Sequence, residues 1–225
     1  MNTKIVVFLS LFLFLLAGCG KEKDGKYYNL DNGLSLDGTS LLDFRDDQVY
    51  EVIEIGDQAW MAEELRYVTP NSKARKNIQL YSWEELMQES LSSNTVPSHV
   101  QGICPKGWHV PSNAEWDLLV DYLIILVTES IDSHDISRVH ETVAKGLKSE
   151  TGWPPYHNYF EWVDANGTNT FGFNAFPSSS SHIGFWSSTE SDSLYALPFQ
   201  LMHVQTIQQF IEDKRQQNAC RCLKN

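Results

Sequence analysis

The chain has 225 residues, 42% hydrophobic and 12% aromatic, enough to build one globular domain with a sizeable core and no dense disulfide framework. Its 17 basic residues against 29 acidic ones give a formal net charge of −12. With no Lys/Arg-rich face in the sequence, that balance argues against a nucleic-acid partner.

One cation, Lys4, precedes an apolar run over residues 5–16, which is too short for a comfortable membrane span and fits the apolar part of an export signal. Leu16-Ala17-Gly18-Cys19 then resembles the lipobox of bacterial lipoproteins, in which the peptide is cut before the cysteine and the cysteine is acylated. The expectation is a signal peptide over 1–18 and a protein held to a membrane through lipidated Cys19 without spanning it. Each buried acyl methylene contributes about 0.8 kcal/mol to such anchoring. Residues 19–47 read as lipidated cysteine, tether and lead-in, opening on the charged, glycine-flanked Gly20-Lys-Glu-Lys-Asp-Gly25. Glu22 and Asp24 stand where surface-exported lipoproteins of some bacterial groups carry acidic residues, and a solvated linker has the same look.

From Gln48 onward the pattern is that of one folded domain, 48–225. Residues 49–55 are β-rich, Gly56-Asp57-Gln58 is a turn and Ala59-Trp60-Met61 resumes extended structure, which predicts a hairpin. Ser82 with Glu85 is a capping-box pattern and predicts a short helix, followed by a Ser-, Asn- and Gln-rich loop over 88–101. The most constrained stretch is Cys104-Pro-Lys-Gly-Trp-His-Val-Pro-Ser-Asn-Ala-Glu-Trp116. Pro105 and Gly107 mark a turn, Pro111 holds Val110 extended, and Ser112 with Glu115 is a second capping box. Trp116, Leu119, Val120, Leu123 and Val127 follow at the spacing of one buried helical face. Ile136, Val139, Val143 and Leu147 predict a second helix from about 135 to 148. Residues 150–162 read as irregular and crowded with rings, Trp153, Tyr156, Tyr159, Phe160 and Trp162, interrupted by Pro154-Pro155. Strands are expected over 194–204 and 219–223, and no repeat or second domain is visible.

Several separated segments share one pattern: Ile55-Gly-Asp-Gln-Ala-Trp-Met-Ala-Glu-Glu-Leu65, Leu80-Tyr-Ser-Trp83, the stretch from Cys104 to Trp116, Gly146-Leu-Lys-Ser149 with Trp153, Phe171-Gly-Phe-Asn-Ala-Phe-Pro177, Trp186-Ser-Ser-Thr-Glu190 and Arg221-Cys-Leu-Lys224. In this order they resemble the Fibrobacter succinogenes major paralogous domain, over essentially all of 48–225. The resemblance implies an α+β, C-type-lectin-like fold: a small twisted antiparallel sheet, two main helices and a long loop region across one face. It also implies a disulfide between Cys104 and Cys222, which export past the cytoplasm permits. Closing so long a loop stabilises by roughly 4 to 5 kcal/mol in the chain-entropy treatment. With Cys19 acylated three cysteines are left, so one is free or intermolecular. Cys220 stands where the family has an apolar residue; on a strand it points to the same face as Cys222, which leaves exchange of partners open. Two further departures are Glu64 in place of an asparagine and a short, serine-rich segment before Trp186.

A catalytic constellation is not apparent. The seven histidines show no metal-binding spacing. His134 and His140, six apart, fall on different faces, and His109 reads as a hydrogen-bonding residue that fixes its turn. Ser187 and Ser188 lack the frame of a nucleophile elbow, and the adjacent pairs Glu63-Glu64 and Glu84-Glu85 diverge. The Glu-Pro-Asn or Gln-Pro-Asp loop and the Trp-Asn-Asp strand of calcium-dependent lectins are missing, so neither metal nor cofactor is expected. For ligand contact this leaves Tyr156, Tyr159 and Trp162, which either present flat rings to a glycan or cover the core beneath a loop. The expected function is a non-enzymatic, membrane-anchored module of the bacterial outer membrane or cell surface that binds polysaccharide or an envelope protein. The alternative is a structural or accessory lipoprotein of an envelope or adhesin assembly without a small ligand.

Overall fold

A computed structural model describes residues 20–131 and 135–225; the readings of 1–18 as a signal peptide and of Cys19 as a lipid anchor, and His134, lie outside the described residues. The chain begins with a hairpin of β1 (Gly20–Lys23) and β2 (Lys26–Asn29), turned at Asp24 and Gly25. Then come β3 (Ser40–Asp43), β4 (Gln48–Ile55) and β5 (Gln58–Met61), paired antiparallel in sequence order. β6 (Lys73–Arg75) and β7 (Ile78–Leu80) form a small ribbon ahead of α1 (Trp83–Met87). After β8 (Trp108–His109) come the two long helices, α2 (Asn113–Ile131) and α3 (Ile136–Leu147). The remainder is β9 (Tyr156–His157), β10 (Trp162–Val163), β11 (His182–Glu190), β12 (Tyr195–Met202), β13 (Ile207–Gln209), β14 (Glu212–Asp213) and β15 (Leu223–Lys224). The architecture is α+β, with antiparallel pairing in every sheet.

The reading of 19–47 as tether and lead-in, with folding from Gln48, is corrected over its described part. Residues 20–47 carry three strands, β3 pairs with β4 from Ser40↔Glu51 to Asp43↔Gln48, and Tyr28, Leu41 and Leu42 are buried. The charged run looks solvated because its cations have distant partners: the Lys21 ammonium reaches the Asp47 carboxylate and that of Lys23 the Asp47 carbonyl.

Local signals placed the helices well. Ser82 caps α1 by accepting from the Glu85 amide at 3.4 Å, although the Glu85 carboxylate accepts from the Thr69 hydroxyl instead of reaching back. The Ser112–Glu115 box closes in both directions: the Glu115 amide donates to Ser112 Oγ at 3.2 Å, and the Ser112 amide donates to Glu115 Oε2 at 2.9 Å. Trp116, Leu119, Leu123 and Val127 are buried as their spacing requires, with Val120 at the margin. On α3, Val139, Val143 and Leu147 are buried while Ile136, the first helical residue, overhangs the core and is exposed.

Two clusters make up the interior. In one, Trp116 is the hub, stacked on Phe199 at 4.5 Å and tilted against Trp60 at 4.6 Å and Phe185 at 5.6 Å, with Phe173 edge-on at 6.1 Å. The other gathers Met61, Trp83, Trp108 and Trp186 around the cysteines. Residues 218–225 run between the sheets as a seam. Asn218 bridges Tyr81, Ala219 exchanges backbone bonds with Gly184 and Trp186, and the carbonyls of Cys220 and Cys222 accept from Leu65 and Met61. Leu223 then pairs with Trp60 on one side and His109 on the other. A side chain at Gly184 would collide with Asn218, so the seam needs glycine there.

Candidate functional site

The ring-rich stretch is a short hairpin, not irregular chain. β9 and β10 pair in the register Tyr156↔Val163 and His157↔Trp162. Asn158 closes the tip: its Oδ1 accepts from the amides of Phe160 and Glu161 at 3.1 and 3.0 Å, and its own amide donates to the Glu161 carbonyl. Tyr159 between them has φ of 76°, a left-handed conformation rare for a residue with a bulky side chain. The result is an outward display of rings on a hydrogen-bonded tip, with Tyr159 95%, Phe160 92% and Trp162 71% exposed.

The three residues singled out from the sequence do not share one surface. Directly paired residues on a two-stranded ribbon project to the same face, so Trp162 lies with His157, their rings 5.5 Å apart, while Tyr156 projects to the other face. Tyr156 is half-buried, edge-on to His203 at 5.3 Å. There it ends a groove of about 420 Å³ between α3 and the chain entering β13, lined also by Ser137, His140, Glu141 and Thr206. Phe160 belongs to the same ring-rich stretch and joins Tyr159 and Trp162 at the exposed tip; its exposure depends on the turn that Asn158 closes, which no local spacing in the sequence specifies.

Beneath the groove lies a residue that sequence reasoning missed. Lys148, fully buried after the last turn of α3, donates to Gln205 Oε1 at 2.9 Å and to the Met202 carbonyl at 3.2 Å, and its ammonium sits 4.0 Å over the Trp153 ring. Burial pushes its pKa down to about 7. Trp153 is buried, its indole N–H on the Ala175 carbonyl, as a framework residue should be. Glu64, the departure from asparagine, accepts from the fully buried Arg221 guanidinium at 2.7 Å. Arg221 is itself flanked by the Phe173 and Phe185 rings and donates to the Phe173 carbonyl.

The central stretch is a clamp. Cys104 and Cys222 form a disulfide across 118 residues, with Cα atoms 5.8 Å apart. Cys220 is free and buried, its sulfur 3.9 Å from that of Cys104 and 3.8 Å from that of Cys222. These three are the only group among the described residues close enough to share a metal ion, and two of the sulfurs are consumed by the disulfide. Burial pushes the Cys220 thiol up to about 12, so the attacking thiolate that partner exchange requires is scarce at neutral pH. His109 is enclosed, with Nε2 2.9 Å from Glu115 Oε1 and Nδ1 2.7 Å from Asn225 Oδ1, which joins the α2 cap to the seam. In Trp186-Ser-Ser-Thr the hydroxyls of Ser188 and Thr189 both donate to the Ser93 carbonyl, at 3.0 and 2.8 Å, and tie down the 88–101 loop.

The sequence profile of the Fibrobacter succinogenes major domain matches residues 53–224. No curated protein and no solved structure matches the chain.

Proposed function

The chain belongs to the Fibrobacter succinogenes major domain family, and on that footing we propose that it is a membrane-anchored, extracytoplasmic binding module rather than an enzyme, engaging polysaccharide through the β9–β10 hairpin. The observation that carries this reading is the exposure of Tyr159, Phe160 and Trp162 on a tip held by Asn158. Bare rings of this size in a fixed geometry lose apolar contact with water when a flat sugar face stacks on them. We read the fold as C-type-lectin-like, supported by the two main helices, the small antiparallel sheets and the long loops of 88–101 and 164–181. The lipobox at Cys19 supports anchoring at the outer membrane or cell surface.

On an array of cell-surface polysaccharides, Trp162→Ala and Phe160→Ala should each lower retention by roughly tenfold, the loss of one stacking contact, with unchanged thermal unfolding. Retention equal to wild type overturns the reading. The second reading, an accessory lipoprotein held in an envelope assembly, draws on the outer face of α2, where Leu118, Tyr122, Ile125 and Leu126 are exposed on one stripe.

A further inference from the structure

If Cys19 carries the lipid, the structure leaves the domain no leash. The first described strand includes Gly20, one peptide bond after Cys19, so the two Cα atoms are about 3.8 Å apart. Asn29 faces Gly20 across the β1–β2 ladder. Leu30, the next residue, is therefore within roughly 9 Å of Gly20, one cross-strand step plus one chain step. Leu30 is exposed, and so are Tyr27, on the strand facing β1, and Leu36, whose amide donates to the Tyr27 carbonyl. Gly107, with φ of 81°, packs on Asn32, and Trp108 donates to the Asn32 carbonyl at 2.9 Å, which fixes this corner to the core.

We infer that the β1–β2 hairpin and the loop after it lie flush on the bilayer, so that the domain is seated on the membrane surface instead of suspended from it. This rests on the anchoring part of the proposed function. Exposed apolar side chains that backbone pairing holds within roughly 13 Å of an acyl anchor are stable where they meet the interfacial region of lipid, and a tyrosine suits that interface in particular. The contact is not an electrostatic one. Lys21 and Lys23 are engaged by Asp47, Lys26 by Asp37 at 3.3 Å, and Lys106 by Asp31 at 3.0 Å. Seating therefore needs no anionic lipid and resists salt.

The test uses the full-length lipidated protein in vesicles of phosphatidylcholine alone. A nitroxide is placed by Leu30→Cys, and buried Cys220 is not labelled. Power saturation should show the label more accessible to oxygen than to a water-soluble nickel chelate, a ratio that reverses when about 12 Gly/Ser residues, reaching roughly 19 Å, are inserted between Cys19 and Gly20. Adding phosphatidylglycerol or raising the salt should leave the ratio unchanged. A label at Leu30 that stays aqueous while the mass of the N-terminal peptide shows acylation overturns the seating and leaves the anchor standing. An unacylated peptide overturns the anchor, and the seating with it. Dependence on anionic lipid overturns the apolar contact in favour of charge attraction.

Discussion

At the residue scale the interior is distinguished by two cations kept from water. Arg221 is fully buried, and Glu64 supplies its counter-charge. Removing one member of such a pair leaves an uncompensated buried charge, so Glu64→Gln should destabilise the protein by about 3 kcal/mol or more, read as a fall in the midpoint of urea unfolding. The sequence shows Glu64 as an oddity against its family, but its partner is 157 residues away and no local rule connects them. Lys148 offers a test in pH. A lysine lowered to about 7 in the folded state and ordinary when unfolded binds fewer protons folded than unfolded between those values. Its contribution to stability therefore rises with pH from about 7 and is complete above the unfolded value near 10.4; it is lost as pH falls from there to about 7 and is constant below. Melting temperatures of wild type and Lys148→Met, compared from pH 6 to pH 10, should diverge in favour of wild type as pH rises. Parallel curves would show that Lys148 is not depressed.

Among elements, those written by contiguous residues were legible and those written by pairing were not. Ser112, Glu115 and the spacing from Trp116 to Val127 specify α2 within one stretch of chain, and α2 is present as expected. The β4–β5 hairpin was legible for the same reason, through Gly56 in the left-handed region. By contrast β1, β9 and β10 have four, two and two residues, too few for alternation to stand out, and each exists because a partner strand fixes its register. Of the candidate site, the rings were legible and their grouping was not, since the ladder sends Tyr156 and Trp162 to opposite faces. Asn158 holds the tip through two amide hydrogen bonds, so Asn158→Ala should weaken polysaccharide retention while leaving global unfolding within about 0.5 kcal/mol of wild type, the range of a surface substitution. Crossed behaviour, with stability falling and binding kept, would assign Asn158 to the scaffold.

For the whole molecule, the disulfide and the seam tie the N-terminal meander, the central clamp and the second sheet into one body. The family resemblance supplied the pairing of Cys104 with Cys222, because spacing alone allows either Cys220 or Cys222. Cys104→Ala removes the bridge without leaving Cys220 a partner across the loop, and should lower the unfolding free energy by roughly 4 to 5 kcal/mol, the chain-entropy value for so long a loop. Chemical denaturation under oxidising conditions measures this; a loss under 1 kcal/mol would mean the seam holds through backbone pairing and packing alone. The seam also sets an order of events in time. Residues 218–225 leave the ribosome after every strand they join, so β5, β8 and β11 keep open edges until that segment follows. Until residue 218 and those after it have emerged, the pairing that joins these strands cannot form.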